Sequence, residues 1–486
     1  MRAAERKARG AYYTPEEVVR TLVRWAVRGP SARMLDPACG DGRFLSAHPN
    51  SVGVEQDPSA AAGVHERVPG ALIHQGDFFS WAAETHERFD CAAGNPPFIR
   101  YQRFSGEIRR AALTLCARHG ARFTGLSSSW APFILATATL LRQGGRMAFV
   151  VPAEIGHAPY ATPLLEYMSG HFDSVQITAV RRKLFPELSE DCWLLYADGF
   201  GGRTQSFLLS AVERFSPMNE PPDTGTRVPV SEWRKWHRRL RPFLLPADVR
   251  ELYQKVARDS VSLGTVARVG IGYVTGANDF FHLRPSEAER HGILGDLLHP
   301  AVRNGKVLRG RAITPATVES WRRRDQPNFL LRLSHPGRLP EAVCRYLDSP
   351  EGHEARTTYK CRNRNPWYVV PDVKEPDAFL SYMSGGSPCL VANHAKCVAT
   401  NSVHVVKLVA GQSLARLQAT WDRPFTQLSC ELEGHPLGGG MLKLEPREAA
   451  RVVIASETDS RLTDNGLVEA AVSTMRHWRH HATTSR

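Results

Sequence analysis

Residues 34–45 read MLDPACGDGRFL, and this stretch decides how the first half of the chain is understood. Two apolar residues run into an acid, Asp36, followed by a proline, small residues and the glycines Gly40 and Gly42. Proline stops strand pairing, and glycine lets the backbone turn tightly. The pattern describes a short strand that turns directly into a helix, where free backbone N–H groups can face a cofactor. Such turns serve many nucleotides, so the stretch by itself is a weak signal. No GK[ST] follows it, which excludes a P-loop, and the GxGxxG of dinucleotide sites is absent.

The same rhythm continues on both sides. PEEVVRTLVRWAV (15–27) has helical apolar spacing behind a leading proline. SVGVEQDP (51–58), ALIHQGDF (71–78) and RFDCAAGNPP (88–97) are short apolar segments, each closed by polar or turn residues. SWAPFILATATLLRQGG (129–145) predicts a helix stopped by glycines, and RMAFVVPAE (146–154) a further strand. This alternation predicts an α/β domain with a parallel sheet whose ligands sit beyond the C-terminal strand ends. Three acids fall at such ends: Asp36, Glu55 and Asp77. Glu55 is placed to accept from ribose hydroxyls and Asp77 from an adenine amino group, while Phe78 is placed to cover the adenine ring. Each acid alone is more often a turn residue; the series describes an adenosine cofactor site.

We expect a first domain over 1–213, a linker over 214–245 that begins with the Pro-rich RFSPMNEPPDTGTRVP, a mixed α/β domain over 246–456, and a tail over 457–486. The net charge of +13 and pI near 9.5 favour a polyanionic partner. Basic residues alternate with aromatics in SEWRKWHRRLRPF (231–243), ESWRRRDQPNF (319–329), YKCRNRNPWYVV (359–370) and RHWRHH (476–481), which suits phosphate contact with base stacking. Nine scattered cysteines without a CxxC pair argue against a zinc ribbon and a disulfide framework. No apolar run reaches bilayer length, so a cytoplasmic location is the expectation.

The series GAYYTPEEVV (10–19), DPACGDGRFL (36–45), GVEQDP (53–58), GDFF (76–79) and NPPF (95–98) resembles the motif order of γ-class N6-adenine DNA methyltransferases, the Taq-type amino-methylases of restriction–modification systems. The resemblance covers residues 10–155 well. It implies a class I, Rossmann-like S-adenosylmethionine domain followed by a mixed α/β target-recognition domain. It also implies that Tyr13, Thr14, Asp36, Ala38, Gly40, Glu55, Asp77, Phe78 and Asn95 hold S-adenosylmethionine. Asp41 stands where the family usually has Ser, and Phe98 where it more often has Tyr. The implied chemistry is methyl transfer to an extruded adenine in double-stranded DNA, with no metal.

In that setting GNPPF acquires a purpose. The adenine amine is a poor nucleophile because its lone pair is delocalised into the ring. The Asn95 side-chain oxygen and the Pro96 carbonyl would draw it towards tetrahedral geometry, with Pro96 and Pro97 keeping both acceptors rigid. Phe98 offers a face for the extruded base. RRKLFPELSEDCWLLY (181–196) is similar to the family segment that carries a second ring, which nominates Phe185. More loosely, SLGTVARVGIGYVTGANDFFHL (262–283) resembles the start of the recognition domain, where Gly270, Gly272 and Gly276 permit close approach of a neighbour or of DNA. Arg362, Arg364, Trp367 and Lys443 are the expected DNA contacts.

Two other readings compete. NPP[YF] also marks glutamine and RNA methyltransferases, but these lack the GxYYTP-type start and the long basic second half. A non-catalytic specificity protein would not need Asp36, Glu55, Asp77 and Asn95 together. PDVKEPD (371–377) has the letters of a nuclease motif without its spacing, so modification alongside a separate restriction endonuclease or defence subunit is expected.

Overall fold

The computed structural model describes residues 14–186, 188, 190–333, 339–456, 459–462 and 466–479. The chain divides into two compact units between Ala247 and Asp248.

The first unit is built on a nine-stranded sheet. Its strands are β1 (Met34–Asp36), β2 (Ser51–Glu55), β3 (Leu72–Gln75), β4 (Phe89–Gly94), β5 (Leu141–Pro152), β6 (Phe172–Val180), β7 (Cys192–Phe200), β8 (Ser206–Val212) and β9 (Thr226–Pro229), in the order β3-β2-β1-β4-β5-β7-β6-β8-β9. The five strands from β3 to β5 are parallel, and β7 lies antiparallel between β5 and β6. The buried runs of β4 and β5 read as continuous apolar sequence because both sheet faces are covered. On one face, helix Glu16–Ala26 buries Val18, Val19, Leu22, Val23, Trp25 and Ala26 with Cys91, Ala93, Ala148 and Val150. The strand order reverses between β1 and β4, and open α/β sheets bind ligands at such a switch point.

Two boundaries differ from expectation. The helix expected over 129–145 runs only over Trp130–Ala138, and β5 opens at Leu141 because Leu141 pairs with Phe89. Near the helix end the Thr137 and Thr139 hydroxyls donate to the carbonyls of Phe133 (2.8 Å) and Ala136 (2.7 Å), a back-bonding that weakens a helix. The segment read as a linker is part of the first unit. Thr226–Pro229 is the edge strand β9, paired with β8, and helix Val230–Lys235 buries Trp233. Its composition is that of a surface loop, and pairing with β8 is a long-range choice that composition does not carry.

The second unit holds a five-stranded sheet of Ala267–Ile271, His404–Leu408, Ala378–Leu380, Leu390–Asn393 and Ala312–Ile313, with smaller four- and three-stranded sheets. It is mixed α/β without a βα rhythm. The expected tail is not separate from it: helix Gly466–His477 buries Val468, Ala471, Val472 and Met475 and packs on helix Pro424–Glu433.

Candidate functional site

The C-terminal ends of β1, β2 and β4 bring the expected residues together. Gly40 and Gly42 both have positive φ (+54° and +80°), which lets the chain double back after β1. Glu55, at the tip of β2, accepts from the Gly40 N–H (2.9 Å) through Oε2 and from the Asp57 N–H (2.8 Å) through Oε1, so it fixes the glycine turn. Asp36 accepts from the Ala38 N–H (3.2 Å) and is almost wholly buried. Burial pushes its carboxyl up to about 8, and the charges of Glu55 and Asp41 add to the rise. A Cβ at Gly94 would come within 2.8 Å of Asp36 Oδ1, so the ends of β1 and β4 touch only because residue 94 has no side chain. A Cβ at Gly40 would meet nothing closer than 4.0 Å, so this turn presents bare backbone.

Asn95 follows β4 directly. Its Nδ2 donates to the Thr14 hydroxyl (3.2 Å), while its Oδ1 is buried and accepts no hydrogen bond from the described residues. Thr14 is buried and its carbonyl accepts from Arg43 (3.1 Å), which ties the start of the first helix to the glycine turn. Tyr13 lies outside the described residues. Beyond Asn95 the loop is gripped by Ser129, immediately before helix Trp130–Ala138. The Ser129 hydroxyl donates to the Pro97 carbonyl and accepts from the Ile99 N–H (3.0 Å), and the Ser129 N–H donates to the Ile99 carbonyl (3.0 Å).

Asp77 caps helix Phe78–Glu84 by accepting from the Ser80 N–H and hydroxyl (2.9 Å each) through Oδ1. Phe78 is buried and stacks on Phe133 (5.1 Å between centroids, 16°), whose ring also meets the Phe79 ring (4.5 Å). Phe133 thus joins helix Trp130–Ala138 to the start of the helix that follows β3. Phe98 and Phe185 meet in one apolar cluster with Leu184, Leu188 and Leu194; Phe98 is half-buried, whereas Phe185 is 6% exposed. An ion pair between Arg100 and Glu190 (2.9 Å) links the segments bearing the two rings.

The expected DNA contacts divide. Arg362 is exposed and its guanidinium lies 5.5 Å from the ring of Tyr359, itself 66% exposed. Arg364 instead donates to the carbonyls of Thr275 (2.6 Å) and Val274, where it holds a loop. Trp367 packs in a core cluster with Phe280 and Phe281, because the residues around it form a helix-and-turn cap over that core. Lys443 pairs with Glu445 (2.5 Å) and lies over Tyr382. Of the cluster at 476–481, residues 480 and 481 lie outside the described residues, and Arg479 is structural: it is fully buried against Glu431 (2.9 Å) and donates to the carbonyls of Gly385, Gly386 and Gly440. Of the glycines, Gly272 faces the carbonyls of Ala399 and Thr400 and Gly276 the side chain of Lys360, so both serve packing within the unit.

Comparison with known proteins identifies a class I DNA methyltransferase that modifies the N6 amine of adenine and uses S-adenosylmethionine as methyl donor. Residues 234–482, half of the chain, match the type II methyltransferase M.Eco57I C-terminal domain; residues 66–185 match the Eco57I restriction-modification methylase, and residues 1–65 the N-6 DNA methylase. The chain belongs to this type II methyltransferase family of restriction–modification systems.

Among its relatives, the type II methyltransferase M.XamI of Xanthomonas campestris pv. amaranthicola is 25% identical over 92% of this chain and 85% of its own length. M.AccI of Acinetobacter calcoaceticus is 20% identical over 91% and 84%. The type IIL restriction-modification enzyme MmeI, solved in complex with DNA, shares the fold at a TM-score of 0.56 and 12% identity, over 94% of this chain and 68% of that one. Among the described residues no helix is long and apolar enough to cross a membrane.

Proposed function

We propose that the residues at the ends of β1, β2 and β4 carry the methyl transfer, with Asn95 at its centre. The observation that carries this reading is the buried Oδ1 of Asn95, an acceptor without a donor among the described residues, beside an amide nitrogen already engaged by Thr14. Leaving such an oxygen unpaired costs on the order of 1–3 kcal/mol, which a substrate amine would recover. Asn95 Oδ1 and the Pro96 carbonyl hold the two hydrogens of the adenine amine and turn its lone pair out of the ring. Preorganised acceptors of this kind act through orientation and need no strong base. Phe98 supports the face of the extruded base, and Phe185 supports the other once the base has entered.

S-adenosylmethionine, when bound, supplies the electrophilic methyl group. The residues present fit it. Ala38 and Gly40 lie in a turn of small residues, with open space beside Gly40 and the turn held by Asp36 and Glu55; Asp77 adds a further carboxylate, and Phe78 backed by Phe133 an aromatic wall. Thr14 completes the set at the N-terminal side, and buried Asp36 braces the turn.

Double-stranded DNA is the substrate. We place its contacts in the second unit on the surface carrying Tyr359 and Arg362, and read the enzyme as the protective partner of a separate restriction endonuclease. The test is transfer of labelled methyl to unmethylated genomic DNA, followed by digestion to nucleosides. Label in N6-methyladenine supports the reading; label in cytosine, or none with the cofactor bound, overturns it.

A further inference from the structure

We infer that Ser129 is a positioning residue for the methyl transfer, holding the Asn95–Phe98 loop in register through its hydroxyl. The inference rests on the assignment of Asn95 and Phe98 to the reacting base.

Pro96 and Pro97 lack N–H groups, so this loop cannot secure itself by ordinary backbone pairing over two successive residues. Ser129 replaces that pairing. Its single hydroxyl proton goes to the Pro97 carbonyl, a lone pair takes the Ile99 N–H, and its own N–H takes the Ile99 carbonyl. The three bonds fall on the residues either side of Phe98. They engage the Pro97 carbonyl and leave the Pro96 carbonyl to the substrate.

Ser129 is fully buried and sits immediately before a helix whose residues are all buried, so its grip refers the loop to the rigid interior. The neighbouring side chains reinforce that anchor. Trp130 Nε1 donates to the Tyr160 hydroxyl (3.1 Å), and Tyr160 donates to Glu154, just beyond β5. Catalysis by orientation tolerates little displacement, and an error of about 1 Å can cost a hundredfold in rate. Alanine at position 129 removes the two hydroxyl bonds while leaving the backbone bond, so it loosens the loop without unfolding the helix.

The test compares Ser129→Ala with Thr137→Ala, a control in the same helix whose hydroxyl bonds only the Phe133 carbonyl. Initial rates are measured with labelled S-adenosylmethionine and unmethylated genomic DNA, with cofactor affinity and thermal unfolding recorded in parallel. We expect Ser129→Ala to lower kcat about ten- to hundredfold, with KM for DNA and cofactor affinity within about threefold. Thr137→Ala should retain its kcat even where its melting temperature falls as far. Ser129→Thr, which keeps the hydroxyl, should recover more turnover than Ser129→Cys, a weaker donor of similar size.

The inference is overturned if Ser129→Ala turns over like the native enzyme, if its kcat falls no further than that of Thr137→Ala, or if the whole loss lies in KM. Asn95→Ala separates this failure from a wrong site. An active Asn95→Ala removes the site reading itself, whereas an inactive Asn95→Ala beside a fully active Ser129→Ala removes only the role of Ser129.

Discussion

Asn95 uses the two ends of one amide differently: its nitrogen is tied to Thr14 and its oxygen is left buried without a donor among the described residues. Asn95→Ala should therefore abolish detectable methyl transfer while the protein still binds S-adenosylmethionine within a fewfold of the native affinity, as read by calorimetry beside the rate assay. Phe98→Ala should leave cofactor affinity unchanged and lower turnover about ten- to hundredfold, since base–aromatic stacking is worth about 1–3 kcal/mol. Asp36 offers a test by pH. Burial raises its carboxyl in the folded protein to about 8, far above the ordinary value of 3.8. Between those limits the folded state holds a proton that the unfolded state has lost, so this group lowers stability as pH rises. Urea unfolding of cofactor-free protein should show Asp36→Asn gaining on the native protein from about pH 5 to about pH 8. A difference that stays flat with pH would contradict the assignment.

At the scale of elements, the strand ends were legible because each joins two independent signals, an apolar run and a residue that stops it. Asp36, Glu55 and Asn95 each sit at or directly beyond such an end. The clamp between Ser129 and residues 97–99 was not legible, because it joins segments about thirty positions apart through one small polar side chain. The run of serines before Trp130 marks a helix start, but nothing local says what the last serine will hold. Gly94 was also silent in sequence, though it is the contact between two strands. Gly94→Ala would drive a methyl group against Asp36 Oδ1 (2.8 Å) and the Phe149 ring (3.1 Å). We expect a loss of about 1–3 kcal/mol in unfolding free energy, measured by denaturant titration, together with weaker cofactor binding.

Over the whole molecule the basic surplus divides into cations that face solvent and cations that hold structure, and only burial distinguishes them. RHWRHH and YKCRNRNPWYVV look alike as sequence, yet Arg479 is fully buried on Glu431 whereas Arg362 is exposed beside Tyr359. The difference is set by carbonyls from distant turns at Gly385, Gly386 and Gly440, which no local pattern announces. Opposite consequences follow. Arg479→Leu removes the nearer of two arginines at buried Glu431, leaving Arg476 at 3.5 Å, and strips the donor from the three glycine carbonyls; it should lower stability by about 1–3 kcal/mol in a denaturant titration. Arg362→Ala should leave stability unchanged, weaken DNA binding, and reduce the salt dependence of affinity by about one phosphate contact.

The paired prolines also govern which experiments can see the loop move. Neither Pro96 nor Pro97 has an amide proton, so hydrogen exchange is blind at these two positions of the loop. The Ile99 amide, donated to the Ser129 hydroxyl, is the nearby reporter with a known partner. Its protection factor measures how often the loop parts from the helix, and slowing of that exchange on adding DNA would time the closing of the pocket without a label on the substrate.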